Sequence, residues 1–185
     1  MIDLQEQLQA ALPDRYTIER ELGRGGMGTV FLARESHPKR QVAIKVLNPM
    51  LSARLGRERF LREVDLASQL THPLIVPIFS AGEAGDLLYY VMPYVKGETL
   101  RERLSREFRL PMESALGIAA EVSDALAHAH RHNIVHRDIK PENILLHDDH
   151  AMVTDFGIAR AVSAAETESL TETGMALGTP AYMSP

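Results

Sequence analysis

His136-Arg137-Asp138-Ile139-Lys140-Pro141-Glu142-Asn143 sets a carboxylate, a lysine and a side-chain amide within six residues, Asp138 to Asn143. Together they offer a proton acceptor, a cation able to neutralise phosphate, and a metal-ligating oxygen, a combination that chance spacing does not supply. Downstream, Thr154-Asp155-Phe156-Gly157 follows a short apolar segment and adds a second oxygen ligand. Asn143 and Asp155 therefore suit a divalent cation such as Mg²⁺, held against the phosphates of a nucleotide.

Upstream of this stretch, Leu116, Ala119, Val122, Leu126 and Ala129 recur every three or four residues, which predicts a helix over 113–132 with those residues on its apolar face. Asn133 stands where a left-handed residue ends a helix. Before Gly97 the pattern is different. Residues 16–35 read as strand, glycine turn, strand, and 41–47, 74–79 and 87–94 are further strand candidates, the last opened by the turn signal Gly85-Asp86. One helix interrupts them, expected over about 52–70 with Phe60, Val64 and Ala67 on one face. Residues 4–12 form a short amphipathic lead-in helix that stops at Pro13. After Val153 a Ser/Thr/Glu-rich tract, 163–173, reads as an exposed loop. The chain is thus α+β, a β-rich lobe joined near Lys96-Gly97 to a helical lobe, and the cleft of such a pair is the natural site.

The 185 residues are 45% hydrophobic and 24% charged, ordinary globular values. A formal net charge of -5 gives no basic field to draw in nucleic-acid phosphates or an anionic membrane. With no cysteine there is neither a disulfide framework nor a thiolate metal site nor a cysteine nucleophile. No stretch approaches the roughly 18 apolar residues of a membrane span, and residues 1–14 lack the basic-then-apolar order of a signal peptide. The expected location is cytoplasmic.

Two further elements bear on nucleotide chemistry. Gly23-Arg24-Gly25-Gly26-Met27-Gly28-Thr29-Val30 contains glycines whose spacing lets backbone N–H groups close on phosphate oxygens. β-branched and apolar residues follow them, so they cap a hairpin and do not open a dinucleotide-binding helix. Val42-Ala43-Ile44-Lys45 puts a lysine on a mostly apolar strand, where a cation needs an anion. Glu63 lies beside Phe60, Val64 and Ala67 on the helix, whereas Glu58 and Asp65 read as solvated; an isolated glutamate there would itself pass for a surface charge.

All four elements in this order, closed by Gly178-Thr179-Pro180-Ala181-Tyr182-Met183-Ser184-Pro185, resemble the eukaryotic-like protein kinase family, with the look of a bacterial Ser/Thr kinase, from about Tyr16 to the last residue. The resemblance implies a bilobal fold: lead-in helix 1–15, an antiparallel ATP-binding N-lobe over 16–95, and a partial C-lobe over 96–185 carrying catalytic loop and activation segment. It implies Gly23, Gly25 and Gly28 over the ATP phosphates, with Lys45 holding them while paired to Glu63. Leu22, Val30, Ala43 and Leu145 would wall the adenine, Met92 would stand as gatekeeper, and Pro93 and Val95 would supply the hinge carbonyl and N–H. Asp138 would accept the substrate hydroxyl proton, Lys140 would neutralise the transferring phosphoryl group, and Asn143 and Asp155 would bind Mg²⁺, with Mn²⁺ as a substitute. Lys140 after Asp138, with Thr179, matches Ser/Thr rather than Tyr kinases. The family's Ala/Ser-Pro-Glu motif stops at Ser184-Pro185, so the helical lobe is expected to be incomplete.

The implied function is transfer of the ATP γ-phosphate to Ser or Thr of protein substrates, with autophosphorylation, a homodimer serving the trans reaction. Arg137 offers a cation to a phosphorylated loop, Thr171 and Thr173 are the candidate acceptors, and Thr179 reads as a structural contact to Asp138 and Lys140. A nucleotide-binding pseudokinase scaffold is the rival reading, set against the presence of Lys45, Asp138 and Asp155; a glycine-loop oxidoreductase is a more distant one. His128 and His132, one helical turn apart, invite a metal reading that lacks a third ligand. Arg101, Arg103, Arg106 and Arg109 read as a solvated helix face.

Overall fold

The computed structural model describes residues 3–156 and Tyr182. Gly157, the 163–173 tract with Thr171 and Thr173, Thr179 and most of the closing motif lie outside the described residues. In chain order the elements are α1 (Leu4–Ala11), β1 (Tyr16–Gly25), β2 (Gly28–Glu35), β3 (Arg40–Leu47), α2 (Pro49–Leu55), α3 (Arg57–Ser68), β4 (Ser80–Ala84), β5 (Leu87–Pro93), β6 (Glu98–Thr99), α4 (Leu100–Glu107), α5 (Met112–Arg131), a 3₁₀ turn (Pro141–Asn143), β7 (Ile144–His147) and β8 (His150–Val153). They divide into two compact units: Met1–Val64 with Ile78–Tyr94, and Asp65–Pro77 with the residues from Val95 onward. Among the described residues no helix is long and apolar enough to cross a membrane.

The first unit is a five-stranded antiparallel sheet in the order β1-β2-β3-β5-β4. Its tight turns follow their sequences. Gly26-Met27 joins the Gly25↔Gly28 pair, and Gly85 takes φ 61 in the Gly85-Asp86 turn. Strand alternation sorts the faces. Phe31, Ala33, Val42, Ile44, Val46, Tyr89 and Val91 point to one side and form a core with Tyr16, Ile18 and Leu8 of α1. Leu8 is fully buried, and the amide of Gln9 extends the attachment: Nε2 donates to Tyr16 O at 3.0 Å and Oε1 accepts from Ile18 N at 2.7 Å, which satisfies two backbone groups on the outer edge of β1.

The single helix expected over 52–70 is two. Asn48 caps α2 through Met50 N with Pro49 in the first turn, and Gly56 at φ 71 ends it before α3 begins. The expected strand over 74–79 also fails to form as such. Pro73 and Pro77 remove two ladder donors, and what remains is a lone parallel bridge, Ile75↔Val153, held by Val153 N to Leu74 O at 2.8 Å and Val76 N to Val153 O at 2.9 Å.

The second unit has the three-stranded sheet β6-β7-β8. A capping box starts α4, in which the Thr99 hydroxyl accepts from Glu102 N and the Glu102 carboxylate accepts from Thr99 N. Gly97 lies against β7 so closely that a Cβ there would sit 2.0 Å from Leu146 O. Asn133 has φ 60, as its position past α5 requires. Asp148 and Asp149, both at positive φ, turn β7 into β8. The apolar stripe of α5 is only partly covered. Val122, Ala125 and Ala129 are buried in the half that packs on β8, whereas Leu116 and Ala119, on the same apolar face, are exposed.

Candidate active site

In the second unit the residues of the 136–143 loop converge. Lys140 Nζ lies 2.6 Å from Asp138 Oδ2, and Asn143 Nδ2 donates to Asp138 O at 2.8 Å and to Oδ2 at 3.2 Å. Asp138 and Asn143 are buried, so this carboxylate is held in one orientation by a cation and an amide donor. Those bonds use the nitrogen of Asn143, so the atom that it could offer a metal ion is Oδ1. Thr154 N donates to Asn143 O at 3.1 Å, which fixes the residue before Asp155 onto the loop.

His136 ties the two motifs together. Its Nδ1 accepts from Asp138 N at 3.2 Å, so the ring proton is on Nε2, which donates to Thr154 O at 2.8 Å. The ring is fully buried, with Phe156 packed edge-on at 4.7 Å between centroids. Arg137 and Asp155 both adopt φ 69, a left-handed backbone that costs an L residue roughly 1–2 kcal/mol. Sequence spacing marked Asp138, Asn143 and Asp155; the left-handed backbone at Arg137 and Asp155 had no signal in it.

In the first unit the register sets Val30 opposite Lys45, Ala43 opposite Met92, and Gly23 opposite Val30. Directly opposed residues share a face, so all five lie on the side of the sheet away from the Phe31–Ile44 core. Lys45 is buried at 7% exposure, and so is Glu63 at 9% in the same unit, whereas Glu58 and Asp65 are exposed as expected. Leu22 and Val30 are half-buried, as are Pro93, Val95 and Leu145. A Cβ added at Gly23, Gly25 or Gly26 would meet nothing within 4 Å, whereas at Gly28 it would sit 2.1 Å from Val46 O. The first three leave the open backbone that a phosphate needs, and the last is fixed by the β2–β3 contact. Hard oxygen donors in Asn143 and Asp155 likewise fit Mg²⁺.

The arginines of α4 are not merely solvated. Arg101 Nε lies 2.7 Å from Glu142 Oε1 and its guanidinium also donates to the Tyr182 hydroxyl, Arg103 pairs with Glu107, and Arg106 pairs with Glu98 and Glu107. Burial pushes the Glu142 carboxyl up, but hydrogen bonding, chiefly from Arg101, holds it below the usual range. His128 and His132 stack ring on ring at 4.5 Å, and no group of three or more His, Cys, Asp or Glu among the described residues is arranged to hold a metal ion.

Comparison with known proteins gives a consistent picture. A family model described as "Protein kinase domain" matches residues 16–185. The probable serine/threonine-protein kinase pknA2 of Bifidobacterium longum is 44% identical over 176 residues, 92% of this chain and 23% of that protein. Serine/threonine-protein kinase PrkC of Bacillus subtilis is 45% identical over 173 residues, 92% and 26% respectively. The chain thus spans about a quarter of the length of these curated relatives. The crystal structure of the M. tuberculosis PknI kinase domain superposes with a TM-score of 0.71 at 34% identity, covering 80% of this chain and 63% of that one.

Proposed function

The chain belongs to the protein kinase domain family, and from that premise we propose that it carries the ATP-binding and catalytic residues of a serine/threonine protein kinase acting on protein substrates. The observation that carries this reading is the Asp138 carboxylate, buried and oriented by Lys140 and Asn143, with His136 linking its loop to Thr154 beside Asp155. Asp138 is the acceptor for the proton of the substrate hydroxyl. Lys140 offsets negative charge at the acceptor, and Asn143 and Asp155 would hold Mg²⁺, which when bound neutralises phosphate charge. Gly23, Gly25 and Gly28 would cover the phosphates, with Lys45 on them and Glu63 orienting Lys45. Leu22, Val30, Ala43 and Leu145 would enclose the adenine, beside the gatekeeper Met92 and the hinge residues Pro93 and Val95. Most of the rate enhancement then comes from positioning and fixed charge. Use of ATP puts the reaction on the cytoplasmic side, and a transient homodimer serves autophosphorylation.

The full-length protein tests this. Asp138→Asn should cut phosphoryl transfer on the order of 10²–10⁴-fold with nucleotide affinity nearly unchanged. Equal turnover in variant and parent would refute the assignment of the base, and nucleotide binding by the parent without any turnover would favour the scaffold reading.

A further inference from the structure

Away from the catalytic loop, three imidazoles form a stack. His72, in the segment between α3 and β4, lies 4.8 Å from His128 of α5 between ring centroids, and His128 lies 4.5 Å from His132, with tilts of 40° and 32°. Hydrogen bonds define their protonation. His72 Nδ1 accepts from Leu74 N at 3.3 Å, so its proton is on Nε2, 3.4 Å from Asp124 Oδ2. His132 Nδ1 donates to His128 O at 2.9 Å. His128 Nε2, between them, is buried and has no hydrogen-bond partner.

The stack joins α5 to a short piece of chain with its own task. Ile75 N donates to His72 O at 3.1 Å, and Leu74 and Val76 then hold Val153 of β8 through the two bridge hydrogen bonds. Thr154 and Asp155 follow immediately. A proton on His72 Nδ1 would oppose Leu74 N–H, and one on His128 would put a cation between two rings.

We propose that the His72–His128–His132 stack is an acid-released latch: while neutral it fastens the 72–76 segment to α5, and on taking up a proton it releases that segment and weakens its bridge to β8. The groups facing His128 are consistent with this. On α5 they are Asp124, Arg131 and His132, and from the 65–77 segment His72; of these only Asp124 favours a proton. The one titratable side chain of β8, which packs on the same helix, is His150, and it is ion-paired with Glu121 at 2.6 Å. Burial, then the neighbouring rings and Arg131, push the His128 imidazole below its ordinary range. A depressed histidine stabilises the folded arrangement fully above the unfolded pKa of about 6.5, and that contribution is lost as pH falls below it.

The test needs no kinase activity and stands apart from the reading above. Amide hydrogen exchange of the full chain, corrected for intrinsic rates, is compared at pH 7.5 and 5.5 for Leu74, Val76 and Val153. Protection in the parent should fall by up to about tenfold, the limit for one histidine of unfolded pKa about 6.5 taken one pH unit below it. In His128→Phe, which keeps an aromatic ring without a titrating nitrogen, it should stay level. An equal fall in both, or none in the parent, overturns the latch. If the variant does not fold, NMR titration of the parent's imidazoles decides: His128 titrating below the ordinary range, with coupled shifts at His72 and His132, supports the latch, and independent titration of the three at ordinary values overturns it.

Discussion

The glycine-rich hairpin contains two kinds of glycine, and alanine substitution should separate them. At Gly28, φ is 156°, and a Cβ would lie 2.1 Å from Val46 O and 3.0 Å from Leu47 Cα. Those atoms are backbone of the paired strand β3, so relief needs a retreat of the ladder by about 1 Å and not a side-chain rotation. Overpacking of this kind costs roughly 1–3 kcal/mol, and the positive φ adds roughly 1–2 kcal/mol for an L residue. Gly28→Ala should therefore lose about 2–5 kcal/mol, a large share of the 5–15 kcal/mol that holds a domain together. Gly25→Ala meets open space and should leave stability within about 1 kcal/mol, while its methyl group intrudes where a phosphate would approach the backbone. Urea denaturation followed by circular dichroism measures the first effect, and calorimetric titration with Mg-ATP the second. Gly28→Ala within about 0.5 kcal/mol of the parent, or Gly25→Ala as unstable as Gly28→Ala, would show that the hairpin geometry has been misread.

Glu35 is fully buried, 2.7 Å from Arg40 Nε and 3.2 Å from Arg15 Nη2. Burial pushes its carboxyl up, but the hydrogen bonds from Arg40 and Arg15 outweigh that and hold it below the ordinary range. Its contribution is therefore complete above the unfolded pKa of about 4.3 and is lost as pH falls through the lower folded value. Glu35→Gln should cost about 1–2 kcal/mol at pH 7, discounted for the exposure of both guanidinium groups, and should flatten the stability profile below pH 4.3 in acid-denaturation curves. For the loop threonines, the expected result is phosphate on Thr171 or Thr173 after incubation of the full-length protein with Mg-ATP, and lowered activity in the Thr171→Ala/Thr173→Ala variant. Mass spectrometry finding phosphate only elsewhere, with activity intact in the variant, would remove that switch.

What could be read from the sequence was chemistry concentrated in short windows. Asp138, Lys140 and Asn143 fall within six residues, and the structure brings them within hydrogen-bond reach of one another. The strand–glycine–strand pattern before Lys45 was equally direct, because β-branched residues on both sides of a glycine turn leave little else to build. Misreadings came where periodicity was followed through a breaker. Gly56 splits the helix that Phe60, Val64 and Ala67 seemed to extend, and two prolines reduce the 74–79 strand to a single bridge. Pairings across long sequence separations were invisible: Arg101 with Glu142, 41 residues away, and His72 against His128 have no local signature. The division of the N-terminal sheet into a core face and a face for Gly23, Val30, Ala43, Lys45 and Met92 was present in the alternation, but became meaningful only once strand register was known.

The attachment of α1 bears on where this protein begins as a physical object. The family match starts at residue 16, yet Leu8 completes the core behind β1 and Gln9 occupies the hydrogen-bonding groups of Tyr16 and Ile18 on its outer edge. A chain cut at the family boundary would lose a fully buried leucine, which costs about 2–5 kcal/mol when truncated to alanine alone. It would also expose a strand edge with a free donor and a free acceptor, the kind of template along which a second molecule can add its own strand. The segment that lies outside the family pattern thus acts as a selvedge, finishing the border of the sheet so that it does not fray into its neighbours.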